Sequence, residues 1–213
     1  MIVGITTRYV NSKYEERDCI SHDWFEFFRK INVKLILIPN NLLDPISYVK
    51  DVGVERLLLT GGDSLGITNL NRKSNGNKTK RDITEEKLLN WSVKFKIPVL
   101  GVCRGIQMIN VFFGGSITRN LDKKIKDENH RSCKHIVIIE NGKKISVNSF
   151  HEDGLLENQI NDNLQIFAKS PNGVVEGLKH KKKPIIGVQW HPERKWANKK
   201  FDSFLIKHWL NKK

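Results

Sequence analysis

Ile97-Pro98-Val99-Leu100-Gly101-Val102-Cys103-Arg104-Gly105-Ile106-Gln107 is the stretch from which the rest of the chain can be read. An apolar, β-branched run ends in Gly101-Val102-Cys103-Arg104-Gly105, and an apolar-periodic segment (Ile106, Ile109, Phe113) follows at once. This is the G-x-S-x-G pattern with cysteine in the serine position, and in that pattern the nucleophile sits on a sharp strand-to-helix turn. The flanking glycines suit such a turn, because positions without a Cβ let strand and helix approach closely. A helix N-terminus beside the sulfur favours the thiolate. Taken alone the stretch also fits a packed βα turn, since free cysteine is among the most buried residue types.

On either side of this stretch, buried strands and helices alternate. Ile2 to Thr6, Lys34 to Ile38 and Arg56 to Thr60 read as strands. Ser21 caps a helix to about Ile31, Asp44-Pro45 open one to about Val52, and Thr84 with Glu85 and Glu86 opens one to about Lys96. Between Leu65 and Arg81 the composition is that of a long surface loop, a length that in compact domains is usually functional or disordered. Past Gly114-Gly115 the chain turns mostly β, with a hairpin through Asn141-Gly142. Strands are expected at Leu164 to Ala168, Gly173 to Gly177 and Pro184 to Gln189, and Lys199 to Leu210 forms a closing helix. The βα alternation implies an α/β, doubly wound and mostly parallel sheet, with a small additional antiparallel β segment, in one domain over 1–213.

Composition agrees with a single domain. The chain has 213 residues, 38% of them apolar, and no run of eighteen apolar residues that would mark a membrane span. Met1 to Thr6 reads as a strand rather than a signal peptide. Three cysteines, odd in number and widely spaced, argue against a disulfide framework or a zinc knuckle, so a reducing compartment, the cytoplasm, is expected. The net charge of +14 raises the question of an acidic partner. The excess is spread, however, and its two clusters (Arg72, Lys73, Lys78, Lys80, Arg81, and Lys181 to Lys183) lack the interleaved aromatics of single-strand binders. Neither nucleic acid nor membrane is expected as a partner.

Ligands of open α/β sheets bind outside the carboxyl ends of the strands. Three polar motifs fall there: Gly61-Gly62-Asp63, Cys103, and Gln189-Trp190-His191-Pro192-Glu193. His191 and Glu193 are two apart, so in extended chain both side chains leave on one side. An imidazole with a carboxylate beside it is the base-and-orienter half of a nucleophilic triad. A turn explains Gly-Gly-Asp alone and a structural hydrogen bond explains a lone His; the conjunction of all three at strand ends points to catalysis.

Thr60-Gly61-Gly62-x-Ser64, Pro98 to Val111, and Gly187 to Glu193 resemble the three signatures of class I glutamine amidotransferases. The Cys-Arg-Gly-x-Gln form is similar to the γ-glutamyl hydrolase branch, whose relatives cleave γ-glutamyl-γ-aminobutyrate. Arg81-Asp82, Gly114-Gly115, Ser149-x-His151 and Asn172-Gly173-x-x-Glu176 match that branch too, so the likeness covers nearly the whole chain. It departs at Glu152-Asp153, where the branch has His-Gln, and at Leu65 to Lys80, which has no counterpart.

The resemblance implies a flavodoxin-like fold and a triad of Cys103, His191 and Glu193. It implies an oxyanion hole from the backbone N–H groups of Gly62 and Arg104, and substrate contacts from Gly61, Arg81, Gln107, Ser149 and His151. No cofactor and no metal are expected. The implied partner is a small γ-glutamyl substrate, with a homodimer left open. The basic segment around Arg72 to Arg81 favours a γ-glutamyl conjugate of a phosphate or nucleotide. The alternatives are a γ-glutamyl-γ-aminobutyrate-type substrate, a glutaminase subunit feeding ammonia to a separate synthase, and a non-enzymatic relative that binds nucleic acid or an acidic partner through its basic surface.

Overall fold

The computed structural model describes residues 1–69, 77–125 and 130–212. In chain order the elements are β1 (Ile2–Thr6), β2 (Arg8–Asn11), β3 (Glu16–Cys19), α1 (His22–Arg29), β4 (Lys34–Ile38), α2 (Pro45–Asp51), β5 (Arg56–Leu59) and α3 (Lys80–Phe95). Then follow β6 (Val99–Val102), α4 (Arg104–Phe112), β7 (Arg131–Ile139), β8 (Lys144–Phe150), β9 (Leu155–Leu156), β10 (Leu164–Lys169), β11 (Val174–His180), β12 (Ile185–Val188) and α5 (Lys199–Leu210).

β4, β1, β5, β6 and β12 pair in that order, all parallel. The same sheet continues antiparallel through β11, β10, β7 and β8, while β2 and β3 form a separate two-stranded ribbon. Taken without the ribbon, the parallel half has the flavodoxin-like strand order. Its strands are apolar on both sides because helices cover both faces. Leu57 and Leu59 of β5 join the core with Val49 of α2, Leu88 of α3 and Ile109 of α4. Leu58, between them, packs in the opposite layer with Trp24 of α1 and Trp209 of α5.

Two expectations change. The segment after Thr6, read as a polar loop, holds the β2–β3 ribbon, whose residues are almost all exposed. The third helix begins at Lys80 rather than Thr84. Thr79 caps it, its hydroxyl accepting from the Asp82 N–H while the Asp82 carboxylate accepts from the Thr79 N–H. Much of the expected loop is therefore built into the fold, with Leu65 and Ile67 buried. Residues 70–76 lie outside the described residues, and the expectation that rested on Arg72 and Lys73 goes with them.

Candidate active site

The strand register brings the three motifs together. Val188 of β12 pairs with Val102 of β6, and Leu59 of β5 pairs with Gly101, so the residues just beyond each strand meet at one edge. Cys103 has φ 54° and ψ −105°, a strained conformation for a residue with a side chain, and α4 starts directly after it. Tight packing explains the glycines. A Cβ on Gly105 would lie 2.3 Å from the Leu59 carbonyl oxygen, and one on Gly101 would lie 2.6 Å from the Gly105 backbone. Gly61 is crowded by the site itself, since a Cβ there would lie 2.7 Å from the His191 ring and 3.2 Å from Cys103 Cβ.

His191 and Glu193 do make contact, Nδ1 to Oε1 at 2.6 Å, but through a turn rather than extended chain. The Arg194 N–H donates to the His191 carbonyl at 3.2 Å, and this turn folds Glu193 back beneath the ring. The other ring nitrogen, Nε2, makes no hydrogen bond of normal geometry and is electrostatically coupled to the Cys103 sulfur. All three side chains are almost fully buried. Burial works against a thiolate, but the charged His191 beside it outweighs burial and holds the Cys103 thiol below its ordinary range. Burial likewise disfavours the imidazolium. Glu193 and Cys103 overcome it and push the His191 pKa up to about 9. The two groups thus favour each other's charged forms.

In front of Cys103 lies a cleft of about 230 Å³, lined among others by Gly62, Arg104, Gln107, Phe150 and His151. Arg104 opens α4, where backbone N–H groups have no intrahelical acceptor. Gly62 has φ 134°, a conformation open to glycine but not to residues with a side chain. Gln107 faces the cleft with its Nε2 donating to the Asp153 carbonyl at 2.9 Å. The departure at Glu152-Asp153 has a structural account. Glu152 pairs with Arg131 at the surface, while the Asp153 carboxylate accepts from Ser64 at 3.0 Å and from the Asn120 N–H at 3.1 Å.

Two expected substrate contacts are placed elsewhere. Arg81 is fully buried behind the Gly61-Gly62 turn. Its guanidinium donates to Glu85 (2.9 Å), Asp63 (2.6 Å) and the Thr60 carbonyl (2.6 Å). The Arg104 side chain joins the same network through Asp82 and Glu85. Ser149 is also fully buried, and its hydroxyl donates to the His130 carbonyl at 2.9 Å instead of reaching the cleft. In the basic segment, Lys78 pairs with Glu86 and Lys80 with Glu16. The described members of that cluster thus answer acids of the chain itself, which removes them as an argument for an anionic substrate.

Three features were not read from the sequence. Asn148 on β8 holds the backbone of His191 on both sides. The stem of Arg8 lies over Gly62, where a Cβ would meet its Cγ at 2.7 Å. His130, His135 and Glu176 bring one donor atom each within 4.8 Å of one another, where no ligand cluster was expected. Asn148 carried a faint signal, asparagine being depleted in strands, and so did His130 and His135 through their H-x4-H spacing; the approach of Arg8 to Gly62 carried none.

The family model described as Peptidase C26 matches residues 1–193. The γ-glutamyl-CDP-amidate hydrolase of Campylobacter jejuni is 32% identical, over 99% of this chain and 98% of its own. A glutamine-hydrolysing GMP synthase subunit of Pyrococcus abyssi is 31% identical over 81% of this chain and 82% of its own. A crystal structure of a Thermoplasma acidophilum protein, described as a GMP synthase subunit, superposes with a TM-score of 0.67. It covers 99% of this chain and 92% of its own at 21% identity, a likeness of fold alone. Among the described residues no helix is long and apolar enough to cross a membrane. The chain belongs to the Peptidase C26 family of class I glutamine amidotransferase-like proteins and is a cysteine-dependent amide hydrolase.

Proposed function

We propose that the chain hydrolyses a γ-glutamyl amide whose leaving group is a nucleotide phosphoramidate, of the γ-glutamyl-CDP-amidate type, releasing glutamate. The observation that carries this reading is the full-length similarity to the Campylobacter hydrolase. The Cys103 thiolate attacks the γ-carbonyl carbon, and the oxyanion takes hydrogen bonds from the N–H groups of Gly62 and Arg104. Such donors are each worth about 3–4 kcal/mol to the transition state. The His191 imidazolium gives its proton to the departing nitrogen as the C–N bond breaks, leaving a γ-glutamyl thioester on Cys103. Now neutral, His191 takes a proton from water, which attacks the thioester and frees glutamate. Glu193 fixes the ring through Nδ1 and stabilises its charged form. Gln107, facing the cleft, holds polar groups of the glutamyl moiety, and His151 lines the wall beside it.

The cation that meets the leaving-group phosphate in this reading is Arg8 rather than the basic segment. Arg8 is exposed, and its stem crosses Gly62 at the edge of the cleft. A second reading has its own support. The Pyrococcus relative is a synthase subunit, and in that case the thioester would form from glutamine and the ammonia would pass to a separate partner.

Glutamate release tests both. The purified chain is assayed on a γ-glutamyl nucleotide phosphoramidate, on γ-glutamyl-γ-aminobutyrate and on glutamine. The proposal expects kcat/KM on the nucleotide conjugate to exceed the others by about 100-fold or more, an advantage of about 2.7 kcal/mol. Equal rates on all three would remove it. Glutamine hydrolysis that appears only when a synthase subunit is added would establish the second reading.

A further inference from the structure

Behind one wall of the cleft, three imidazoles converge on a single carboxylate. Glu176 of β11 is fully buried, and neither of its oxygens has a hydrogen-bond partner of normal geometry. His130 precedes β7, His135 lies within it and His151 follows β8. Their ring nitrogens stand 3.7, 3.7 and 3.5 Å from Glu176 Oε1. The His130 and His135 rings are perpendicular at 5.1 Å between centroids, and the His130 and His151 rings lie 4.7 Å apart.

These separations are too long for strong direct hydrogen bonds. For His130, His135 and Glu176, whose donor atoms all lie within 4.8 Å of one another, they are close to what a shared ion imposes. Two donors bound to one tetrahedral metal at about 2.0–2.2 Å lie roughly 3.3–3.6 Å from each other. A buried carboxylate also needs compensation, which a divalent cation supplies. The donor set of imidazoles with one carboxylate suits a first-row transition metal rather than calcium or magnesium, which favour all-oxygen shells. His151 stands beside this set: its Nδ1 lies 3.0 Å from the Asp153 carbonyl, to which Nδ1–H donates, and its Nε2 faces Glu176 at 3.5 Å.

We propose that His130, His135 and Glu176 bind a divalent transition metal, with zinc the occupant that the donor set fits. Three protein ligands leave a fourth position for water. Its effect on the reaction is indirect. The ion ties β7 to β11, and Glu176 also faces His151, which lines the cleft beside Cys103. His151 is then a positioning residue, held through Glu176 on one side and lining the cleft on the other. The proposal stands independently of which amide the enzyme cleaves.

The test is zinc binding by the full chain carrying Cys103→Ala, so that the thiolate of the active site cannot capture the ion. After chelator treatment and dialysis, zinc is titrated against a chromogenic chelator, and the loaded protein is measured by X-ray absorption at the zinc edge. The expected result is one zinc per chain with Kd below about 1 µM. Its shell should hold only nitrogen and oxygen at about 2.0–2.1 Å, with imidazole scattering and no sulfur. Glu176→Gln and His135→Asn should each weaken binding by about 100-fold or more. If Glu176→Gln fails to fold, His135→Asn, at the less enclosed edge, and the absorption spectrum of the parent decide the matter. No zinc uptake in this range, a shell containing sulfur, or affinity unchanged in the folded variants overturns the proposal.

Discussion

Asn148 brackets the backbone of His191: its Oδ1 accepts from the His191 N–H and its Nδ2 donates to the His191 carbonyl, both at 2.8 Å. The same Nδ2 also donates to the Lys195 carbonyl at 2.9 Å, so one side chain closes the turn that carries His191 and Glu193. The antiparallel half of the sheet is thereby joined to the acid–base pair, because Asn148 sits on β8 and the turn follows β12.

Replacing Asn148 with alanine leaves buried backbone groups of that turn unsatisfied, at a cost of about 1–3 kcal/mol. Because the imidazole is aimed through its backbone, kcat should fall by about 10- to 100-fold with KM changed far less. Steady-state kinetics beside a thermal melt separate the two effects. Wild-type kcat in a folded Asn148→Ala enzyme would show that the turn holds His191 without this clamp.

The glycines divide into two kinds. Gly105→Ala drives a methyl into the Leu59 carbonyl, backbone against backbone, and should prevent or severely reduce folding. Gly61→Ala drives a methyl against the His191 ring and Cys103 Cβ, groups that shift at the expense of catalysis. It should fold with a circular dichroism spectrum like wild type and lose at least about 100-fold in activity. Equal effects of both changes on fold and on rate would contradict this division.

Ionisation makes a signed prediction. Cys103 is held below its ordinary range and His191 at about 9, so the thiolate–imidazolium state spans the interval between them. Above about pH 9 the imidazolium is lost, no proton is available for the leaving nitrogen, and kcat/KM falls. Glu193 raises the His191 pKa, so Glu193→Gln should move the alkaline limb to lower pH. A pH–rate profile for the two enzymes measures the shift, and an unmoved limb would refute the assignment of that limb to His191.

Arg81 is a structural cation. Arg81→Met leaves Asp63 and Glu85 without its charge, and breaking such a buried pair costs about 3–5 kcal/mol. Calorimetry should show Tm lowered by roughly 10 °C. Arg81→Lys should recover only part of this, because one ammonium cannot span Glu85, Asp63 and the Thr60 carbonyl together. A KM change with unaltered Tm would instead place Arg81 at the substrate.

What the sequence made legible and what it hid have different physical causes. The parallel half and the meeting of Cys103 with His191 were readable because each reactive residue follows directly on an apolar strand, and parallel strands end on one edge. The β2–β3 ribbon was hidden because both its faces are wet, leaving no apolar alternation. The Arg81 network was hidden for the opposite reason: its charged side chains come from the loop, the third helix, the Gly-Gly-Asp turn and the elbow, and only the fold shows Arg81, Asp82, Glu85 and Arg104 buried against each other. The imidazoles around Glu176 come from one β7–β8 hairpin, His130 and His135 in an H-x4-H spacing, but the carboxylate they face lies on β11, and that meeting is visible only in the fold.

In the proposed mechanism Cys103 forms a γ-glutamyl thioester under the control of His191 and Glu193. The direct measurement is glutamate release from a γ-glutamyl nucleotide phosphoramidate by wild type and by Cys103→Ala, with a thermal melt of each. The expected result is at least about a thousandfold loss of rate in Cys103→Ala with its melting transition intact. Release at the wild-type rate from the folded variant would contradict it.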